Sequence, residues 1–144
     1  MPYKKTQINS AEGSDQRTSK QSHFYKGFST VDEQSSSVKL FDYELIKQDL
    51  LNHFNTRKGE RLMNPTYGTT IWDSLFEPLT PAVKQQISDD INRILASDPR
   101  IIPVQVDLTQ ADYGFRIELT LKYRGTDISE NMQITFDKNV GMSV

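Results

Sequence analysis

From Asp42 onward the apolar residues recur at helical spacing. In DYELIKQDLLNHF, Ile46, Leu50 and Phe54 stand at i, i+4 and i+8 and Leu51 widens the stripe, while charged and polar residues fill the rest. This pattern predicts an amphipathic helix over about 43–56, with Asp42 as its N-cap and Arg57-Lys58-Gly59 as its end. A loop containing Asn64-Pro65-Thr66-Tyr67-Gly68 follows, and the apolar piece TIWDSLF predicts one or two further helical turns. Thr80-Pro81 is a helix start, a cap followed by proline in the first turn. Val83, Ile87, Ile91, Ile94 and Leu95 then mark one face of a second long helix that stops at Ser97.

Beyond Ser97 the period falls to two. Ile102, Val104, Val106 and Leu108 alternate with polar residues. So do Tyr113, Phe115, Ile117, Leu119, Leu121 and Tyr123, set against Arg116, Glu118, Thr120, Lys122 and Arg124, and the shorter run Met132, Ile134 and Phe136. Each run is a strand with one buried face. The connections DYG and RGTD carry turn residues, so a consecutive antiparallel meander is the simplest pairing. The expected fold is α+β: two main amphipathic helices packed on a small antiparallel sheet of three to four strands, formed by residues 41–144.

Residues 1–40 read differently. They are rich in Ser, Gln, Lys, Asp and Gly and end in the Ser35–Ser37 triplet, so they are expected to form an extended or flexible arm. Its island of aromatics, HFYKGF at His23 to Phe28, is expected to dock on a surface, either the protein's own or a neighbour's.

Composition narrows the chemistry. With 17 basic and 19 acidic residues the net charge is −2, which supplies no global attraction to nucleic acid or to an anionic membrane. No cysteine is present, so disulfides, thiolate metal sites and a cysteine nucleophile are excluded. The two histidines, His23 and His53, have no metal-ligand spacing, and His53 reads as the solvated side of its helix. No apolar run reaches the roughly 20 residues of a membrane span, and the N-terminus lacks the apolar stretch of a signal peptide, so a reducing, cytoplasm-like compartment is expected. Neither cofactor nor metal is expected.

Candidate chemistry is sparse. Glu60, Asp73 and Glu77 lie near Tyr67 and Trp72, an arrangement from which a carboxylate-pair glycosidase can be imagined, but exposed acids at helix ends are the simpler reading. Arg57, Lys58 and Arg61 form a small basic cluster of a kind that grips phosphate, but nearby acids offset it and a solvated face is the simpler reading. Asp98-Pro99-Arg100 sits at the joint between the second helix and the first strand. Proline explains why the helix ends, yet neither flanking charge is needed for that, so the corner is also a candidate docking point.

The stretch NTRKGERLMNPTYGTTIWDSLFEPLTP, Asn55 to Pro81, resembles the signature segment of the phage baseplate wedge family. That family includes the sheath initiator of contractile-tailed, T-even-like phages and, more distantly, the matching baseplate component of type VI secretion. The resemblance rests on Thr56-Arg57-Lys58-Gly59 with Arg61, on the Pro65–Gly68 turn, and on Leu75-Phe76-Glu77 followed by Thr80-Pro81. It covers about residues 40–136. The family's Glu-Pro-Arg motif falls on Asp98-Pro99-Arg100, with aspartate one methylene shorter than glutamate.

The resemblance implies a structural subunit and no enzyme, although a lysozyme-like, cell-wall-hydrolysing activity is sometimes attached to the family. It implies that Asp98, Pro99 and Arg100 contact the helical core bundle of the wedge, and Arg57, Lys58 and Arg61 are further expected protein-contact residues. It implies a sheet that templates the tail sheath by strand addition, and the Met132–Phe136 edge, at Gln133 and Thr135, is the preferred acceptor. The expected partners are wedge core-bundle proteins, sheath protein and tube or hub proteins, in a virion assembled in the host cytoplasm, with neither nucleic acid nor membrane.

Overall fold

The computed structural model describes residues 24–29 and 39–144. The helical stripes become α1 (Asp42–Asn55), the short α2 (Ile71–Ser74) and α3 (Pro81–Ser97). Thr80 caps α3 as its sequence requires, its hydroxyl accepting from the Val83 amide at 3.3 Å. At α1 the expectation fails in an instructive way. Phe41 holds the cap position, and Asp42 is the first helical residue, with a left-handed φ of 46°. Its carboxylate accepts instead from the amides of Phe24 (2.8 Å) and Tyr25 (2.9 Å), and its own amide donates to the Tyr25 carbonyl (3.0 Å).

That clamp anchors a two-stranded antiparallel sheet of β1 (Lys26–Phe28) and β2 (Lys39–Phe41), which lies within the stretch expected to be an arm except for Phe41. The Arg100 guanidinium lies 5.5 Å from the Tyr25 ring centre, so Tyr25 sits on the protein's own surface, whereas Phe24 and Phe28 are 88% and 68% exposed. His23 lies outside the described residues.

The main sheet runs in the order β3-β4-β5-β6, all antiparallel: β3 (Ile101–Ala111), β4 (Gly114–Tyr123), β5 (Ser129–Asp137) and β6 (Gly141–Ser143). The final strand has no apolar alternation of its own, and Gly141, at φ 94°, makes the tight return that lets it pair. One face of the sheet meets α1 and α3. Ile46, Leu50 and Phe54 from α1, and Ile87, Ile91, Ile94 and Leu95 from α3, pack with Ile117, Leu119, Leu121, Ile134 and Phe136 in one buried cluster. Phe136 takes Phe54 and Trp72 edge-on at centroid distances of 6.3 and 5.1 Å, and the Trp72 indole donates to the Phe54 carbonyl at 3.0 Å. Tyr113, expected inside, is 61% exposed because it sits in the β3–β4 turn rather than on the strand.

Strand β3 departs most from simple alternation. Ile101, not Ile102, is buried, and Val104 is 62% exposed, yet Leu108 is buried as expected. The register with β4 slips between Pro103 and Gln105, so one extra residue switches the parity of the strand midway. Both ends of the strand therefore present an apolar side chain inward. Deleting Val104 removes that extra residue and forces either Ile101 or Leu108 toward water, which is expected to cost about 2 to 3 kcal/mol. Val104→Ser at the same site should stay within roughly 0.5 kcal/mol. Urea denaturation of the two variants against the parent distinguishes them, and equal midpoints would refute the parity argument.

Candidate interaction site

The helix-strand joint is held by charge from inside the chain. Arg100 grips Asp98 with two parallel bonds, Nε to Oδ1 at 2.9 Å and Nη2 to Oδ2 at 2.7 Å, and Nη2 also reaches Asp49 Oδ2 on α1 at 2.9 Å. The Arg100 amide adds a bond to Asp98 Oδ1 at 3.0 Å. Burial pushes the Asp98 carboxyl up, but the Arg100 hydrogen bonds and charge outweigh it and hold the group below its ordinary value. Arg124 secures the outer side, its Nε donating to the Pro99 carbonyl at 2.7 Å. Pro99 itself is exposed at the tip.

This corner forms one wall of an open cleft of about 680 Å³. Asp49 and His53 of α1 line it, with Arg61 and Tyr67 of the following loop and Arg93 and Ser97 of α3. Tyr67 is stacked on His53 at 4.0 Å, and the Arg61 guanidinium lies 3.9 Å from the same ring centre, so the two cover opposite faces of the phenol ring. His53 is therefore not on the solvated side of its helix. Its Nε2 is buried with no hydrogen-bond partner among the described residues, and burial, then the Arg93 charge, hold the imidazole below its ordinary pKa. Sequence reasoning missed His53, Tyr67 and Arg93 as cleft residues, since they come from three separate segments and share no motif spacing.

Four of the expected contact residues, Arg61 and Asp98 to Arg100, line this cleft, while Arg57 and Lys58 do not. The Arg57 guanidinium lies 5.9 Å from the Trp72 ring centre, and its amide donates to Glu60 Oε2 at 3.0 Å. Glu60 is thereby part of the loop's own bonding, and Asp73 and Glu77 are exposed on and after α2.

Gln133 and Thr135 lie apart from the cleft, on β5. The Lys138 amide donates to the Tyr113 carbonyl and the Tyr123 amide to the Ile128 carbonyl. Antiparallel alternation then turns the amides of Glu130, Met132, Ile134 and Phe136 toward β4 and those of Asn131, Gln133 and Thr135 away. Thr135 is in register with Ser143 of β6, whereas the β5–β6 pairing does not extend to Gln133 or Asn131. The edge expected over Met132–Phe136 is thus occupied at Thr135, because the last strand folds back on it. No described strand pairs with the outer side of β3.

The profile of the baseplate wedge protein gp25 family matches residues 42–127, which span α1 to the turn after β4. The chain belongs to that family. It is accordingly a baseplate component of a contractile, phage or phage-like tail, and so part of the particle. Its similarity to the baseplate wedge protein gp25 of enterobacteria phage T4 is 32% identity over 77 residues, 51% of this chain and 58% of that protein. The chain thus spans under two thirds of the length of that curated relative. Two solved structures share the fold. The baseplate of the anti-feeding prophage contains a chain with a TM-score of 0.59 at 20% identity, covering 72% of this chain and 88% of that one. A Geobacter sulfurreducens protein described as a tail lysozyme has a TM-score of 0.51 at 23% identity, covering 61% and 86%.

Arg100→Ala would leave Asp98 half-buried without its partner and should destabilise the protein by about 1 to 3 kcal/mol, with Arg100→Lys intermediate because lysine lacks the fork. Since the folded value of Asp98 is lowered, the contribution is present at neutral pH and lost as pH falls through that value. Denaturation at neutral and acid pH tests this, and a gap between parent and Arg100→Ala that widened in acid would contradict it.

Proposed function

We propose that this family member is a structural wedge subunit that docks on the helical core bundle through the cleft rimmed by Asp98, Pro99 and Arg100, and that its sheet receives a strand from the first ring of sheath. Arg57, Lys58 and Arg61 complete the contact with the wedge, and tube or hub proteins are further candidate neighbours. The corner suits docking because its carboxylate and guanidinium are held by each other and cannot swing away. An incoming helix therefore meets a surface that is already ordered.

The observation that carries the sheath role is the backbone edge at Asn131 and Gln133. There the outward amides and carbonyls lie beyond the end of β6, and an added strand gains main-chain hydrogen bonds with little demand on side-chain identity. The outer side of β3 is the less suited edge near the corner. Pro103 has no amide to offer, and the Ile101 amide is spent on the Asp98 carbonyl at 3.3 Å. Gln133→Pro removes one outward amide without breaking a bond to β4, so the protein should keep its circular dichroism spectrum. Tails assembled with it should carry sheath at least tenfold less often in electron micrographs. Normal sheath on this well-folded variant would exclude the β5 edge and leave β3.

The rival reading is a cell-wall hydrolase. Glu60 supports the structural role, because its carboxylate is engaged with the Arg57 amide rather than presented to a cleft. Purified protein, and its Glu60→Gln, Asp73→Asn and Glu77→Gln variants, should all leave a peptidoglycan suspension turbid. Clearing by the parent that vanished in one variant would reverse the assignment.

A further inference from the structure

The most exposed large apolar side chains among the described residues are neighbours: Leu62 at 93% and Met63 at 99%. They stand at the apex of the loop between α1 and α2, and the loop is braced. Its base is closed by the Thr69 amide on the Thr56 carbonyl at 2.9 Å and the Lys58 amide on the Thr69 carbonyl at 3.1 Å. A higher rung joins the Gly59 amide to the Pro65 carbonyl at 3.0 Å, and the Asn64 amide turns the apex on the Arg61 carbonyl at 3.1 Å. Single exposed apolar residues are ordinary, but two adjacent ones at the tip of a bonded loop form a knob. Because its backbone is already ordered, such a knob loses little conformational entropy when it is bound.

The charge around the knob defines what would hold it. Arg57, Lys58 and Arg61 against Glu60 leave a surplus of two positive charges, three cations less one anion, on the loop. We propose that Leu62 and Met63 seat in an apolar socket rimmed by carboxylates on a neighbouring protein of the baseplate. This rests on the family reading for the neighbour's being a baseplate protein and shares Arg57, Lys58 and Arg61 with the wedge contact proposed above, but uses neither the sheet edge nor the Asp98–Arg100 corner. A second copy of this chain is a poor host, since the carboxylates lining the cleft it would offer, Asp49 and Asp98, are already bound by Arg100 and leave no acidic rim for a basic loop.

The test is the full chain carrying Leu62→Ser and Met63→Ser together, supplied to tails lacking the native copy, with subunits per purified tail counted by mass spectrometry. The expected result is an unchanged melting temperature and an at least tenfold loss from tails. Val140→Ser, at a residue 80% exposed elsewhere, should cause none. Lys58→Glu should lower incorporation several-fold. A photo-cross-linking residue at Met63 in assembled tails should join a single segment bearing both apolar and acidic residues. Wild-type incorporation of the double variant would overturn the proposal, and so would a fall in its melting temperature, which would make the pair part of the fold. Sedimentation of the parent, but not the variant, with phosphatidylcholine–phosphatidylglycerol vesicles would overturn it in favour of a lipid surface. Absence of the parent itself from purified tails would defeat the family-based function as well, a result distinct from loss confined to the variant.

Discussion

A buried carboxylate holds the loop side of the cleft together. Asp90, on α3 and only 7% exposed, accepts from the Thr69 hydroxyl (2.8 Å), the Thr70 amide (2.8 Å) and the Arg93 guanidinium (Nε 3.0 Å, Nη2 2.6 Å). Burial alone would favour the neutral acid, but these donors and the Arg93 charge outweigh it and lower the pKa. Arg93 passes the tie onward, donating to the carbonyls of Thr66 (3.1 Å) and Gly68 (2.7 Å). A segment without regular structure is thereby bonded to a helix at both ends of one ion pair. Fixing such a segment opposes roughly 1 to 2 kcal/mol of backbone entropy per residue, so it stays ordered only with a dense set of bonds. Gly68 is part of the condition. At φ 102° it lies in the left-handed region, and a Cβ there would stand 2.7 Å from the Arg57 carbonyl.

The loop side of the cleft depends on that tie. With the loop pinned, Tyr67 lies between His53 and Arg61 and one wall of the cleft is set. Arg100 sets the other wall by binding Asp98 and Asp49 together, which connects the β3 corner to α1. The two walls thus rest on separate carboxylate–guanidinium pairs, each built from one i, i+2 or i, i+3 contact plus a long-range bond. The charge of the corner is neutralised within the chain, so the docking proposed there would draw on a rigid shape and on the remaining polar surface more than on an unpaired ion.

The sheet solves a different problem. Its helix-facing side is apolar except at Glu130, which binds Lys47 of α1 and the Tyr123 hydroxyl, and along β4 its other side is polar, with Arg116, Glu118 and Thr120 outward. Closing the core at both ends of β3 required one residue more than alternation permits, and the bulge at Val104 provides it. Near the corner the same strand carries Pro103, which limits pairing there, whereas β5 is covered by β6 only over its last residues. Edges are thus blunted in some places and left accessible in others.

The sequence by itself determined the α+β composition, the two long helices, the inward face of β4 and β5, and the signature from Asn55 to Pro81 that marks the family. These are properties of local period and of short strings, which the chain carries whatever its tertiary contacts. It did not determine that Asp42 would clamp an incoming strand, since the amides of Phe24 and Tyr25 approach it from outside the helix it was expected to cap. Nor did it place Ile101 inside, find β6, or unite His53, Tyr67 and Arg93 with Arg100. Those outcomes depend on which side of an edge or helix is already occupied, and contacts between residues tens of positions apart leave no period to read. The alternation at Ile102 to Leu108 was real in the sequence, but burial of a whole face depends on register. One bulge, selected by the helices packed above it, decided which half of that pattern faced the core.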